Sequence, residues 1–339
     1  MPPVAFGPIV LGGNRFGSSL DVDASYALLD RHLEQGGTMV DTALVYADWL
    51  PDVERACSER LLGRWLASRG VADTVVVATK GGHPEVSATG TAGRRPPPRL
   101  DPASLRRDVS ASLDHLGLGC LPLWWLHRDD PRRPVADILH AVEDLRSAGL
   151  LAAWGVANWT AGRLAELRAA AAAAGVDGPL ASSVCFALAP PAPGVLADDL
   201  VVLDAGLAVL HEQTQLPLVA YSAQAKGWLE RAARGEPSAH DPVYDHGATR
   251  TLATALARLG GELGASPTEV ALAAVALLPF PTSAVVGPGT PTQLDSCWAA
   301  SRLTLDETQR AVLRPWIDAA VAAAGAQPLT EPEVRPATR

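Results

Sequence analysis

Four side chains that together can deliver a proton to a carbonyl oxygen sit at or just past the ends of apolar runs: Asp41 in TMVDTA, Tyr46 five residues on, Lys80 in VVVATKGG and His127 in LPLWWLH. A free tyrosine, with a pKa of about 10, is a sluggish acid near neutral pH, and an adjacent ammonium favours the phenolate and lowers that value. Lys80 is the candidate cation, one of two lysines in a chain that otherwise uses arginine. Asp41 would keep Lys80 charged, and His127 could hydrogen-bond a carbonyl oxygen and orient it. Each residue also has a plainer reading: Asp41 as a turn cap, Lys80 as a snorkelling strand-end lysine, His127 as a satisfied structural histidine, Tyr46 as a surface aromatic. The combination carries the inference, joined by Asn158, Tyr221 and Gly287 at the ends of further apolar runs.

The elements that must position these residues alternate strand with helix. The predicted strands are 8–13, 38–43, 75–82, 121–127, 151–158, 181–186, 217–222 and 283–287. Helices are expected at 23–35 with Asp23 as N-cap, 53–69, 102–116, 135–147, 161–174, 199–213, 247–263, 267–278 and from 291. The helix over 102–116 is the best delimited, with Asp101 as cap, Pro102 at its first position and Gly117 as its stop. Ser266 and Glu269 form a capping box around Pro267. Eight strands each followed by helix predict one α/β domain, a (β/α)8 TIM barrel over residues 1–324 with a flexible tail at 325–339. A doubly wound sheet is the alternative, but LGGNRFG lacks the G-x-G-x-x-G spacing that would announce its dinucleotide site. In a barrel the polar strand ends share the face where active sites are built. The long loops 83–99 and 222–247 would lie over that face as lids.

Composition narrows the class. With 48% hydrophobic residues among 339, a net charge of −9 and scattered basic residues, the chain has a large core and no footprint of nucleic-acid binding. No stretch reads as a signal peptide or membrane span, so a soluble, cytoplasmic protein is expected. Cys57, Cys120, Cys185 and Cys297 are far apart, without C-x-x-C, and predict neither disulfides nor a metal site.

The stretches VDTALVY, VVVATKGG, LWWLHRDD, WGVANW, AYSAQAKG and VVGPGTPTQL, in that order over about residues 8 to 320, resemble the aldo-keto reductases, in particular a bacterial branch with an HRDDP motif after strand four. The resemblance implies an NAD(P)H-dependent oxidoreductase that reduces an aldehyde or ketone, a small-molecule carbonyl that this branch associates with sugar-like or other metabolites. It makes Asp41, Tyr46, Lys80 and His127 the catalytic tetrad, with Tyr46 as proton donor. Asn158 matches the residue that holds the nicotinamide carboxamide, and Tyr221 the aromatic stacked on the nicotinamide. Ser222, Gln224 and Lys226 fall in the loop along the pyrophosphate, while Gly287, Gly289, Gln293 and Cys297 fall at the adenosine end. Gly13, Asn14, Asp41 and Ser183 join the cofactor set, and Asn14, Trp49 and Arg128 are candidates to flank the substrate.

The departures are informative. Ser183 stands where a glutamine usually lies beside the carboxamide, Ala157 where a serine precedes Asn158, and Cys297 where an asparagine often faces the adenine. Gly289 stands where many relatives carry an arginine that grips the 2′-phosphate. The cofactor is therefore NADPH with NADH possible, unless Lys226 or an arginine from a lid supplies the lost charge. Gln293 has a second reading, because Thr290-Pro291-Thr292-Gln293 is also a complete capping box. Two other functions compete. One is a nucleotide-binding regulatory barrel resembling potassium-channel β subunits; the other is a metal-dependent hydrolase, for which one histidine and one aspartate at strand ends are too few ligands. Oligomeric state is not legible.

Overall fold

The computed structural model describes residues 4–86, 97–236 and 241–325. Eight parallel strands close into a barrel in chain order. They are β1 (Ile9–Gly12), β2 (Met39–Asp41), β3 (Val76–Gly81), β4 (Leu121–Leu126), β5 (Leu151–Ala157), β6 (Ser182–Ser183), β7 (Leu218–Ala220) and β8 (Thr282–Val286). The helices between and after them are α1 (Val22–Glu34), α2 (Cys57–Arg69), α3 (Pro102–Leu116), α4 (Val135–Ser147), α5 (Ala161–Ala174) and α6 (Ala205–Thr214). Then come α7 (Trp228–Ala233), α8 (Gly247–Leu263), α9 (Pro267–Val275), α10 (Pro291–Arg302) and α11 (Glu307–Gly325). The seam pairs Ile9 with Ala284 and Leu11 with Val286. Among the described residues, no helix is long and apolar enough to cross a membrane.

Strand parity divides two cores. Val10, Met39, Val76, Ala78, Leu123, Trp125 and Val219 fill the barrel interior, while Val77, Trp124, Leu126 and Val156 face the helical layer. The adjacent tryptophans of β4 thus serve opposite faces, as a period of two requires. Gly155, on β5, makes the interior one possible: a Cβ there would lie 2.5 Å from Trp125 Cζ3.

Several boundaries differ from the sequence reading. Asp21, not Asp23, caps α1 by accepting from Ala24 N at 2.8 Å, and Asp23 supplies first-turn negative charge instead. The strand expected over 181–186 contracts to two residues because Cys185 exchanges backbone hydrogen bonds with Val201 and Leu203. Extended by that pairing, residues 201–203 delay α6 to Ala205, with Asp204 as its cap. A turn occupies 53–56, so α2 begins only at Cys57; α9 ends at Val275. The expected lid over 222–247 is partly helical, with Trp228 and Leu229 of α7 buried. Of the other lid, residues 87–96 lie outside the described residues, as does the tail beyond Gly325; α11 was not anticipated.

Candidate active site

Inward parity brings the proposed tetrad together. Asp41 shares the face of Met39, Lys80 that of Ala78, and His127, one residue past β4, that of Trp125. Beyond β2 the backbone stays on β3, Thr42 N donating to Ala78 O at 2.8 Å and Leu44 N to Lys80 O at 3.1 Å. A turn then folds back, with Ala47 at φ +66°, and sets Tyr46 over Asp41.

The Lys80 ammonium, 5% exposed, has three protons and three acceptors: Asp41 Oδ2, Thr42 O at 2.7 Å and Tyr46 OH at 2.8 Å. Tyr46 therefore accepts from Lys80. Its own proton has only a long contact to Asp41 Oδ2, 3.4 Å, and stays available to an oxygen in the cleft. The rings of Tyr46 and His127 meet edge to face with centroids 6.2 Å apart.

Burial disfavours the Lys80 ammonium, but Asp41 and Tyr46 outweigh it and hold the group above its ordinary pKa. Burial pushes the Asp41 carboxyl up while Lys80 draws it down. For Tyr46 burial also dominates: the phenol lies above its ordinary value although Lys80 pulls the other way, opposite to the net lowering expected from the sequence. His127 is held well below the ordinary histidine value by burial, and then by Arg128, His83 and Lys80. That shift favours the neutral imidazole, and among the described residues its buried Nδ1 has no hydrogen-bond partner, which suits a proton on Nε2.

A cleft of about 770 Å³ runs from Asp41, Tyr46, Lys80 and His127 past Asn158, Ser183 and Tyr221 to Ser222, Gln224, Lys226 and Gly287, with Asn14, Trp49 and Arg128 also on its walls. That is the size of a pocket for a cofactor with a small substrate. Asn158, at φ +62°, donates to His127 O at 3.2 Å and accepts from Val201 N at 3.2 Å and from Tyr221 OH at 2.6 Å. Ser183 spends its hydroxyl on Val219 O at 2.9 Å. Gln224 bridges Gly287 N (3.3 Å) and Cys297 Sγ (3.2 Å). Arg128 pairs with Asp199 at 2.9 Å, and Trp49 is 50% exposed. A neighbouring cavity of about 820 Å³, between Pro84, Pro97 and Asp198, shares Asn158 but none of the tetrad.

Four of the proposed cofactor residues do not line this cleft. Gly13 is packed, since a Cβ there would lie 2.9 Å from Phe16 and 3.0 Å from Ser58 Oγ; Gly12 lines the wall in its place. Cys297 is buried, reaches the cleft only through Gln224, and has its thiol pushed up to about 12 by burial. Gln293 accepts from Gly289 N at 2.6 Å, so the expected reciprocal bond to the Thr290 N–H is not made and Gly289 is capped instead. Residues missed in the sequence are Arg15 and Leu200 on the wall, and His83, whose ring lies 4.7 Å from His127. Arg15 directly follows Asn14, but nothing in the sequence places it beside Gly289. Among the described residues no group of three or more His, Cys, Asp or Glu is placed to hold a metal ion.

The sequence model of the aldo/keto reductase family matches residues 8–315. Aflatoxin B1 aldehyde reductase member 4 of Homo sapiens is 31% identical over 159 residues, 47% of this chain and 43% of that protein. Norsolorinic acid reductase B of Aspergillus parasiticus is 30% identical over 167 residues, 44% of this chain and 40% of that protein. Both matches span less than half the relative's length. An uncharacterized 11.2 kDa protein of Pseudescherichia vulneris is 42% identical over 76 residues, 22% of this chain and 74% of that protein.

Proposed function

This chain belongs to the aldo/keto reductase family, and from that premise we propose that it reduces an aldehyde or ketone to the alcohol with NADPH, Tyr46 giving the proton. The cleft suits a dinucleotide: its lining combines the tetrad with the small residues Gly12, Ala157 and Gly287 and with the cations Arg15, Arg128 and Lys226. Asn158 and Tyr221 would flank the nicotinamide, with Ser222 to Lys226 along the phosphates. A reduced nicotinamide held there would supply the hydride for the carbonyl carbon.

The chain's own residues manage the oxygen. Neutral His127 donates a hydrogen bond to it and fixes its direction. As negative charge develops, Tyr46 gives up its O–H proton and the Lys80 ammonium, 2.8 Å away, stabilises the phenolate left behind. Asp41 and Thr42 O hold that ammonium in place. Solvent then returns a proton to Tyr46. The observation that carries this reading is the saturation of Lys80, which leaves the hydroxyl of Tyr46, on the cleft wall, to donate to nothing closer than Asp41 Oδ2 at 3.4 Å. The names of the two reductase relatives agree with the reaction class.

Tyr46→Phe tests it. The variant should quench or shift NADPH fluorescence as the parent does, yet reduce a panel of aldehydes on the order of 10²-fold or more slowly. Turnover equal to that of the parent would refute the assignment of the acid.

A further inference from the structure

We propose that the substrate carries a second oxygen on the carbon next to the reacting carbonyl, and that the unpaired N–H groups of Arg128 hold that oxygen. The inference names a substrate class for the reductase site and rests on that reading.

Arg128 directly follows His127, lines the cleft with the tetrad and is 8% exposed. A guanidinium has five N–H donors. Two are engaged here: Nε donates to Asp199 Oδ2 at 2.9 Å, and Nη1 to the carbonyl oxygen of His127 at 2.8 Å. Among the described residues the second Nη1 proton and both on Nη2 have no acceptor. Donors so nearly removed from water are costly to leave unmet, and the cleft is where an acceptor can come from.

The surrounding carboxylates do not supply one. The two aspartates after Arg128 are held by other arginines, Asp129 by Arg163 at 2.8 and 3.1 Å and Asp130 by Arg132 at 2.8 and 3.0 Å. Asp199 meets Arg128 through Nε alone. The positive charge is therefore felt inside the cleft: burial is the largest influence on the acidity of Tyr46, Tyr221 and His127, and the Arg128 charge acts to lower the pKa of all three. Tied to the His127 carbonyl, the guanidinium stays beside the histidine that orients the reacting oxygen. The part of a substrate within its reach is the part next to the carbonyl. A hydrocarbon there would bury the donors unmet, whereas an oxo, hydroxyl or carboxylate oxygen would accept from them. A site built to hydrogen-bond a polar group discriminates strongly against the analogue that lacks it.

The test compares two matched pairs of carbonyls, phenylglyoxal with phenylacetaldehyde and phenylglyoxylate with propiophenone, on the parent and on Arg128→Met with saturating NADPH. Borohydride in the same buffer gives the chemical preference within each pair. The parent should favour the oxygenated member of at least one pair, in kcat/KM, by about tenfold or more beyond borohydride. Arg128→Met should bring that ratio back to the borohydride value. Both members of a pair use His127, so a disturbance of the histidine by the substitution cancels in the ratio. Arg128→Lys, which keeps a cation in that place, should hold a ratio between the two and serves where the methionine variant does not fold. Preference for phenylglyoxal identifies a neutral oxygen as the group held, and preference for phenylglyoxylate a carboxylate. A parent that only matches borohydride, or variants that keep the parent's ratio, overturn the inference and leave the reductase reading standing; a parent that reduces no carbonyl of a broad panel removes both.

Discussion

At the scale of single residues, the proposed reaction requires an acid that stays protonated and a conjugate base made tolerable. Burial raises Tyr46 above its ordinary value of 10, and Lys80, at 2.8 Å, limits the rise. His127 is lowered well below 6.5. The proposed reduction would need Tyr46 protonated and His127 neutral. Both conditions hold between the two ordinary values, because a raised phenol loses its proton only above 10 and a lowered imidazole gains one only below 6.5. The kcat of reduction should therefore be flat over that window, and a stopped-flow pH profile with a limb near 6.5 would show that His127 titrates normally. The residue types were legible in the sequence because a rare lysine, a strand-end aspartate and a strand-end histidine stand at period-two positions. The direction of the Tyr46 shift was not. It depends on how much protein covers the ring, which spacing does not report.

At the scale of elements, legibility followed local signals. The helix α3 matches its sequence boundaries because its cap and stop are local: Asp101 accepts from Ser104 N at 2.9 Å, and Gly117 takes φ +67°. The strand β6 was overcalled because its end is decided by a segment about 17 residues later in the chain, Val201 to Leu203 bonding to Cys185. The site depends on a similar non-local accommodation inside the barrel. Trp125, in the barrel interior, stands in register with Lys80, and Gly155 leaves room for its ring, with Ala181 O also 2.8 Å from an added Cβ. Gly155→Ala should overpack this layer, costing roughly 1–3 kcal/mol in a urea melt, and should lower kcat by displacing the indole of Trp125 beside the tetrad strands. An unchanged melt would mean that the ring relaxes elsewhere at no cost.

At the scale of the whole molecule, the barrel was legible because eight strand–helix alternations leave few other topologies. What the pattern could not show is that the first and last strands of the barrel meet in the wall of the cleft beside the proposed tetrad. Gly12, Asn14 and Arg15 come from the first strand and its loop, and Val285, Val286 and Gly287 from the last. A ligand that spans this seam binds only the closed barrel and stabilises it by mass action. NADPH should accordingly slow amide hydrogen exchange in Ile9–Gly12 and Thr282–Val286 more than in the opposite strands β4 and β5; protection confined to β4 and β5 would place the ligand elsewhere.

The seam also sets a timetable for synthesis. A growing chain possesses its aspartate, tyrosine, lysine and histidine once residue 127 has been added, yet β1 has no second neighbour until residue 286 arrives. On the proposed reading, the proton-handling residues are made early and the place for the reductant last, so competence would arrive in one late step rather than accumulate as the ribosome advances.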